Sequence, residues 1–102
     1  MNKDPQNTAT VKEILDLIKN ISPGKSVELR VPPYGAIQCV TGSNHRRGTP
    51  PNTVEMSGQT LVRLINEPLL WSSLCESGEI RASGLLSDLS NLFAQAAVKY
   101  RA

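Results

Sequence analysis

The spacing of apolar residues changes abruptly at Ser26, and that change decides what kind of fold the chain can form. Before it, Val11, Ile14, Leu15 and Ile18 recur at i, i+3, i+4 and i+7, with Leu17 and Ile21 widening the stripe. That is one face of an α-helix. After it, Val27, Leu29 and Val31 alternate with Glu28 and Arg30, the pattern of a strand with one wet face. A helix this short is marginal in water by itself, and a half-wet strand needs its other face covered. The two patterns complement each other, and helices laid on a sheet satisfy both.

The remaining residues extend this scheme. Thr10-Val11-Lys12-Glu13 has the capping-box form, which predicts a first helix from Val11 to Asn20, frayed residues 1–9, and a stop at Ser22-Pro23-Gly24. Pro32-Pro33 ends the first strand, because proline donates nothing to a ladder. A second strand is predicted from Gly35 to Val40, with Ile37 and Cys39 on one face and Ala36, Gln38 and Val40 on the other. Apolar groups on both faces make it read as a central, well-covered strand. Thr41 to Asn52 has no apolar side chain except proline and reads as a long loop, followed by a short strand from Thr53 to Met56. Ser57 is a fitting N-cap for a helix carrying Leu61, Leu64 and Ile65. Pro68 opens another short helix bearing Leu69, Leu70, Trp71, Leu74 and Cys75, closed by Gly78. Glu79 to Ser83 is a fourth strand, and Ser87-Asp88 caps a last helix with Leu89, Leu92, Phe93, Ala96 and Tyr100 on one face. The order predicts a single α+β domain over residues 1–102, with helices packed on a sheet of four or five strands.

Composition narrows the function. Eleven Lys and Arg against nine Asp and Glu leave a net charge of +2, and aromatic residues make up 4 %. Both are poor material for holding nucleic acid. No apolar run approaches the ~18 residues of a membrane span. Met1-Asn2-Lys3-Asp4-Pro5 leads into polar residues rather than a secretion signal, and Cys39 and Cys75 lie in apolar patterns as reduced, buried thiols. The expected location is the cytoplasm. His45 is the single histidine and no CxxC or HxxxH spacing occurs, so no metal site is expected. GxSxG, GxxxxGK[ST] and GxGxxG are absent and no two carboxylates read as an acid/base couple. The chain is expected to catalyse nothing by itself and to hold no cofactor.

From Ser26 onward the sequence resembles the bacterial branch of the sterol-carrier-protein-2-like (SCP2-like) family, the small actinobacterial sterol carrier proteins. The resemblance is carried by Val31-Pro32-Pro33-Tyr34-Gly35-Ala36-Ile37-Gln38-Cys39-Val40 joined to His45-Arg46-Arg47-Gly48-Thr49-Pro50-Pro51-Asn52-Thr53-Val54-Glu55. Leu70-Trp71, Ser77-Gly78-Glu79-Ile80-Arg81-Ala82-Ser83-Gly84 and Ser87-Asp88-Leu89-Ser90 continue it, over about three quarters of the chain. It implies a curved, mostly antiparallel sheet with helices on one face, enclosing an apolar tunnel that in the wider family carries sterols, acyl chains or acyl-CoA. The chain is shorter than typical lipid carriers, and its last residues are Tyr100-Arg101-Ala102, so the peroxisomal tail of eukaryotic members is not expected here.

Two readings of the apolar residues stay open. They form a filled core, or some of them wall a ligand pocket, with Ile37, Leu64, Trp71, Leu74 and Phe93 as the wall. Arg46 and Arg47 either hold the carboxylate or phosphate of a lipid head group or pair with an acid such as Glu55 and pin the loop. Gln38 either bonds a ligand hydroxyl or faces water on the sheet. The expected function is binding and carriage of a small apolar or amphipathic ligand. The alternative is an interaction or accessory module with a filled core that binds a protein partner or a second copy of itself, or serves as the partner domain of a two-part enzyme.

Overall fold

The computed structural model describes residues 5–42 and 52–102, and the two apolar periods become its two layers. Strands β1 (Val27–Val31), β2 (Gly35–Cys39), β3 (Asn52–Met56) and β4 (Ile80–Ser83) form one sheet of four in the order β2-β1-β3-β4. Helices α1 (Pro5–Ile21), α2 (Gly58–Asn66), α3 (Trp71–Ser77) and α4 (Ser90–Arg101) supply the other layer, with a 3-10 turn at Pro68–Leu70 leading into α3. This is the α+β class the sequence predicts.

Pairing is antiparallel for β1 with β2 and for β3 with β4, and parallel for β1 with β3, so the sheet is mixed. Residues 40–51 make the parallel pair feasible. They return the chain from the end of β2 to the start of β3, which lies beside Val27 at the start of β1. The whole crossover from β1 to β3, residues 32–51 with β2 inside it, has the dozen or more residues that parallel neighbours require. The register puts Val27, Leu29, Val31, Cys39, Val54, Met56 and Ile80 on the inner face, where they join Val11, Ile14, Ile18, Leu61, Leu64, Ile65 and Phe93 in one buried cluster. Glu28, Arg30, Thr53, Glu55 and Arg81 fall on the outer, wet face.

Four sequence expectations need correction. The first helix starts at Pro5, so residues 5–9 are helical rather than frayed and Thr10 lies inside α1 instead of capping it. Proline suits a first turn, and the buried Val11, Ile14, Leu15 and Ile18 anchor the extension. Strand β2 is an edge strand and not a central one, with Ala36 and Gln38 exposed. The small Ala36 imitated a covered position. β2 also ends at Cys39, because Val40 takes the left-handed φ of +68°. Val40 donates its N–H to Ser22 O (2.9 Å) and accepts from Ser26 N–H (3.0 Å), tying this end of the sheet to the turn after α1. Finally, α4 begins at Ser90, not at Ser87-Asp88. Asp88 Oδ1 accepts from Ser90 N–H (2.9 Å), and this bond holds its carboxyl below the usual range. Ser57 and Gly78 cap as expected: Ser57 Oγ accepts from Thr60 N–H, and Gly78 closes α3 at φ +86°.

Candidate functional site: a cleft between α3 and β4

Strand β4 is the second edge of the sheet and has only four residues, and α3 behind it is a helix of seven. Two elements this short leave a gap. A cleft of about 430 Å³ opens there, lined by Cys75 and Gly78 from α3 and its cap, by β4 from Ile80 to Ser83, and by Thr53 and Glu55 of β3. A second depression of about 410 Å³ shares Glu55, Gly78 and Arg81 with it and extends to Pro32, Met56 and Thr60. Either volume falls within the roughly 300–1,000 Å³ of small-molecule sites.

The cleft is apolar at its back and polar at its rim. Ile80 and the half-buried Cys75 form the back, and Thr53, Ser83 and Arg81 form the rim. Arg81 Nη2 lies 3.7 Å from Glu55 Oε2, too long for a hydrogen bond, and its side chain is mostly exposed. This exposed pair contributes little to stability. Burial, and secondarily the Asp88 charge, raise the Cys75 thiol; burial pushes Cys39 up to about 11. Both thiols stay protonated near neutral pH, so neither acts as a ready nucleophile. Among the described residues no three His, Cys, Asp or Glu side chains gather where they could hold a metal ion.

The five wall candidates do not gather at the cleft. Leu64 on α2, Trp71 and Leu74 on α3, and Phe93 on α4 are buried in the common cluster, and the half-buried Ile37 packs against it from β2, the edge of the sheet opposite β4. The Trp71 and Phe93 rings sit 6.0 Å apart at a 31° tilt, a favourable aromatic contact. Trp71, Leu74 and Cys75 fall at i, i+3 and i+4, so one face of α3 carries both the core wall and the cleft. Neither cleft is lined by the five wall candidates themselves. Arg46 and Arg47, with His45, lie outside the described residues. Gln38 is exposed, on the outer face opposite Glu28.

Sequence reasoning missed the role of Asn52. Its side chain is buried (3 % exposed), its Nδ2 donates to Ser26 O (2.8 Å), and its Oδ1 accepts from Leu86 N–H (2.9 Å). One amide thus ties the starts of β1 and β3 to the bend after β4. Gly84, at φ +111°, lies against it so closely that a Cβ there would overlap the Asn52 amide. Asn52 and Gly84, distant in sequence, therefore meet in space. Asn52 after two prolines reads as loop chemistry, and only the register shows it inside the sheet.

Comparison with known proteins fits this architecture. A family model described as bacterial SCP ortholog matches residues 4–94. Among solved structures, one named "UbiJ-SCP2 Ubiquinone synthesis protein" superposes with a TM-score of 0.56 at 20 % identity, covering 100 % of this chain and 98 % of that one. The solution structure of the sterol carrier protein domain 2 of Helicoverpa armigera superposes with a TM-score of 0.51 at 18 % identity, covering 96 % and 95 %. The comparison with curated proteins finds no match. At such identities the structural likeness speaks for the fold alone. With nearly its whole length matched by the family model, the chain belongs to the bacterial SCP ortholog family and has the SCP2 fold.

Proposed function

We propose that the protein is a non-enzymatic carrier domain that binds a small apolar or amphipathic ligand, such as a fatty acyl chain or a sterol-like molecule. Membership of the SCP family is the observation that carries this reading. The ligand lodges between sheet and helices against Ile37, Leu64, Trp71, Leu74 and Phe93, and it reaches them through the cleft beside α3. Two features of the fold support that route. Helix α3 is the shortest helix among the described residues, and it follows a proline-started 3-10 turn rather than continuing α2. Short helices open locally at low cost. The face of α3 that borders the cleft is also the face that carries Trp71 and Leu74.

Burial supplies the affinity. About ten methylenes at ~0.8 kcal/mol each give ~8 kcal/mol, which corresponds to micromolar binding before the cost of association. Arg46 and Arg47 orient an anionic head group by charge-assisted hydrogen bonds. The free thiols of Cys39 and Cys75 accord with a reducing cytoplasm.

Native mass spectrometry after mild extraction, together with thermal shift on adding fatty acids, tests the proposal. A bound lipid mass or a rise in Tm is expected. A chain that co-purifies with no lipid and gains no stability from any acyl ligand would instead be an accessory module with a filled core.

A further inference from the structure

Strand β4 is an edge of the sheet, and among the described residues no strand pairs with its outer side. Sheets keep such edges from pairing with bulges, prolines, lysines or charges that point inward. Beyond its shortness, β4 has none of these. It runs one to one against β3 from Met56–Ile80 to Thr53–Ser83, without a bulge. Its residues are Ile80, Arg81, Ala82 and Ser83, and the one charge lies on the outer, wet face. The other edge is guarded. There β2 stops at Val40, whose left-handed turn commits its N–H to Ser22 O and its carbonyl to Ser26 N–H, and α1 packs against the strand. Ala82 shows the opening at β4 from the inner side. It pairs with the buried Val54 and so lies on the core face, yet it is exposed, because the helix layer leaves it uncovered.

We propose that β4 is the docking edge for a second copy of this chain, the two strands pairing antiparallel about a two-fold axis so that two sheets continue as one. The sequence of the strand selects the register. A two-fold axis perpendicular to the sheet keeps inner face with inner face only if it passes between two residues of the same number. Arg81 opposite Arg81 would set like charges together. Ile80 opposite Ile80 would pair Arg81 and Ala82 with Glu79 and Gly78, which lie outside the strand in the turn from α3. Ser83 opposite Ser83 would draw in Gly84 and Leu85, in the bend that Ser87 closes by donating to the Gly84 carbonyl.

Ala82 opposite Ala82 remains, and its neighbouring pairs lie wholly within the strand. Arg81 of each copy then faces Ser83 of the other, a guanidinium donor against a hydroxyl acceptor. The nearest like charges, the two Arg81 side chains on the diagonal, each have Glu55 beside them at 3.7 Å. On the inner face the exposed Ala82 meets its own counterpart, and two small side chains let the strands approach. A ladder this short buries less than the roughly 800 Å² per partner of a standard interface, so the dimer is weak and reversible. The cleft is lined by β4 along its length, and the second strand covers it; the monomer is the form in which the cleft stays open.

Edge pairing goes beyond the carrier reading and holds whether or not the interior takes a ligand. The test is sedimentation velocity of the full chain from micromolar to millimolar concentration. The wild type is expected to pass from monomer to dimer as concentration rises. A82K places a charge on the inner side of the edge and should weaken the dimer by about tenfold or more. Since it replaces an exposed side chain, it should melt with the wild type. L69K, the same charge at an exposed leucine away from the sheet, should dimerise like the wild type. Mild oxidation reads the register: A82C should link to its counterpart, whereas the two S83C residues stand too far apart along the ladder to bridge. A wild type that stays monomeric throughout, an A82K that dimerises equally well, or linkage through S83C in place of A82C would overturn the proposal. Native mass spectrometry of A82K with added fatty acid isolates the carrier reading, and failure to bind there would count against that reading alone.

Discussion

Replacing Asn52 should destabilise the fold far more than a loop asparagine would. Asn52→Ala removes the partner of two backbone groups at once. The Ser26 carbonyl belongs to a residue that is almost fully buried, and an unsatisfied buried acceptor costs about 1–3 kcal/mol. Leu86 is partly exposed, so water can replace part of its lost bond and the loss there is about 0.5–1.5 kcal/mol. The sum is about 1.5–4.5 kcal/mol, a large part of the stability of a small domain. Asn52→Asp separates the two bonds. Its carboxylate still accepts from Leu86 N–H but faces the Ser26 carbonyl with a lone pair, so it should cost more than alanine at neutral pH. Burial and that carbonyl raise the new carboxyl above its unfolded pKa, and the neutral acid donates where the amide did. Its stability deficit should therefore shrink as pH falls and grow as pH rises through the folded pKa. Urea unfolding of the three proteins at pH 4 and pH 7 measures both effects. An Asn52→Ala variant within about 0.5 kcal/mol of wild type would refute the assignment of Asn52 as the tie between β1, β3 and the bend.

Gly84→Ala should lose about 2–4 kcal/mol in the same assay, since the new Cβ overlaps the Asn52 amide and the residue must hold φ at +111°; an unchanged midpoint would show that the bend relaxes freely. Cys75 should react with a thiol reagent in the native state well before Cys39, which should wait for unfolding, and mass-mapped alkylation reads the order. Because burial raises Cys39 from 9.0 to about 11, the thiol stays protonated in the fold while the unfolded chain ionises. Its share of stability is complete below pH 9 and falls between pH 9 and 11 at up to ~1.4 kcal/mol per pH unit, a loss that Cys39→Ala should lack in alkaline urea titrations. Removing both guanidiniums in R46A/R47A should weaken binding of decanoate by about tenfold and leave decanol unchanged, as isothermal titration would show.

Much of the fold was legible because burial is periodic. The 3.6-residue stripe through Ile14 and Ile18 and the alternation through Val27, Leu29 and Val31 mark the two layers, and Ser57 and Gly78 punctuate α2 and α3 as their side-chain chemistry requires. Edge position is not written in that way. β2 carries Ile37 and Cys39 on its inner face like any strand, and only the pairing of β1 with β3 leaves its other side free. The parallel pair itself depends on where a twelve-residue connection returns, which local propensity does not encode. At the site, apolar composition singles out Leu64, Trp71, Leu74 and Phe93 as one buried group but cannot place the gap beside them. That gap arises from the shortness of α3 and β4, a property of element lengths rather than of any residue. Asn52 was hidden for a related reason: its two bonds reach residues 26 and 86, separated from it by 26 and 34 positions.

Amide and indole chemical shifts followed during titration with a medium-chain fatty acid test the carrier account most directly. Trp71, the single tryptophan, and the amides of Leu74, Cys75, Ile80 and Phe93 should shift together and saturate at one ligand per chain. Shifts confined to the outer face around Glu28, Arg30 and Gln38, or no saturable shift at all, would contradict it.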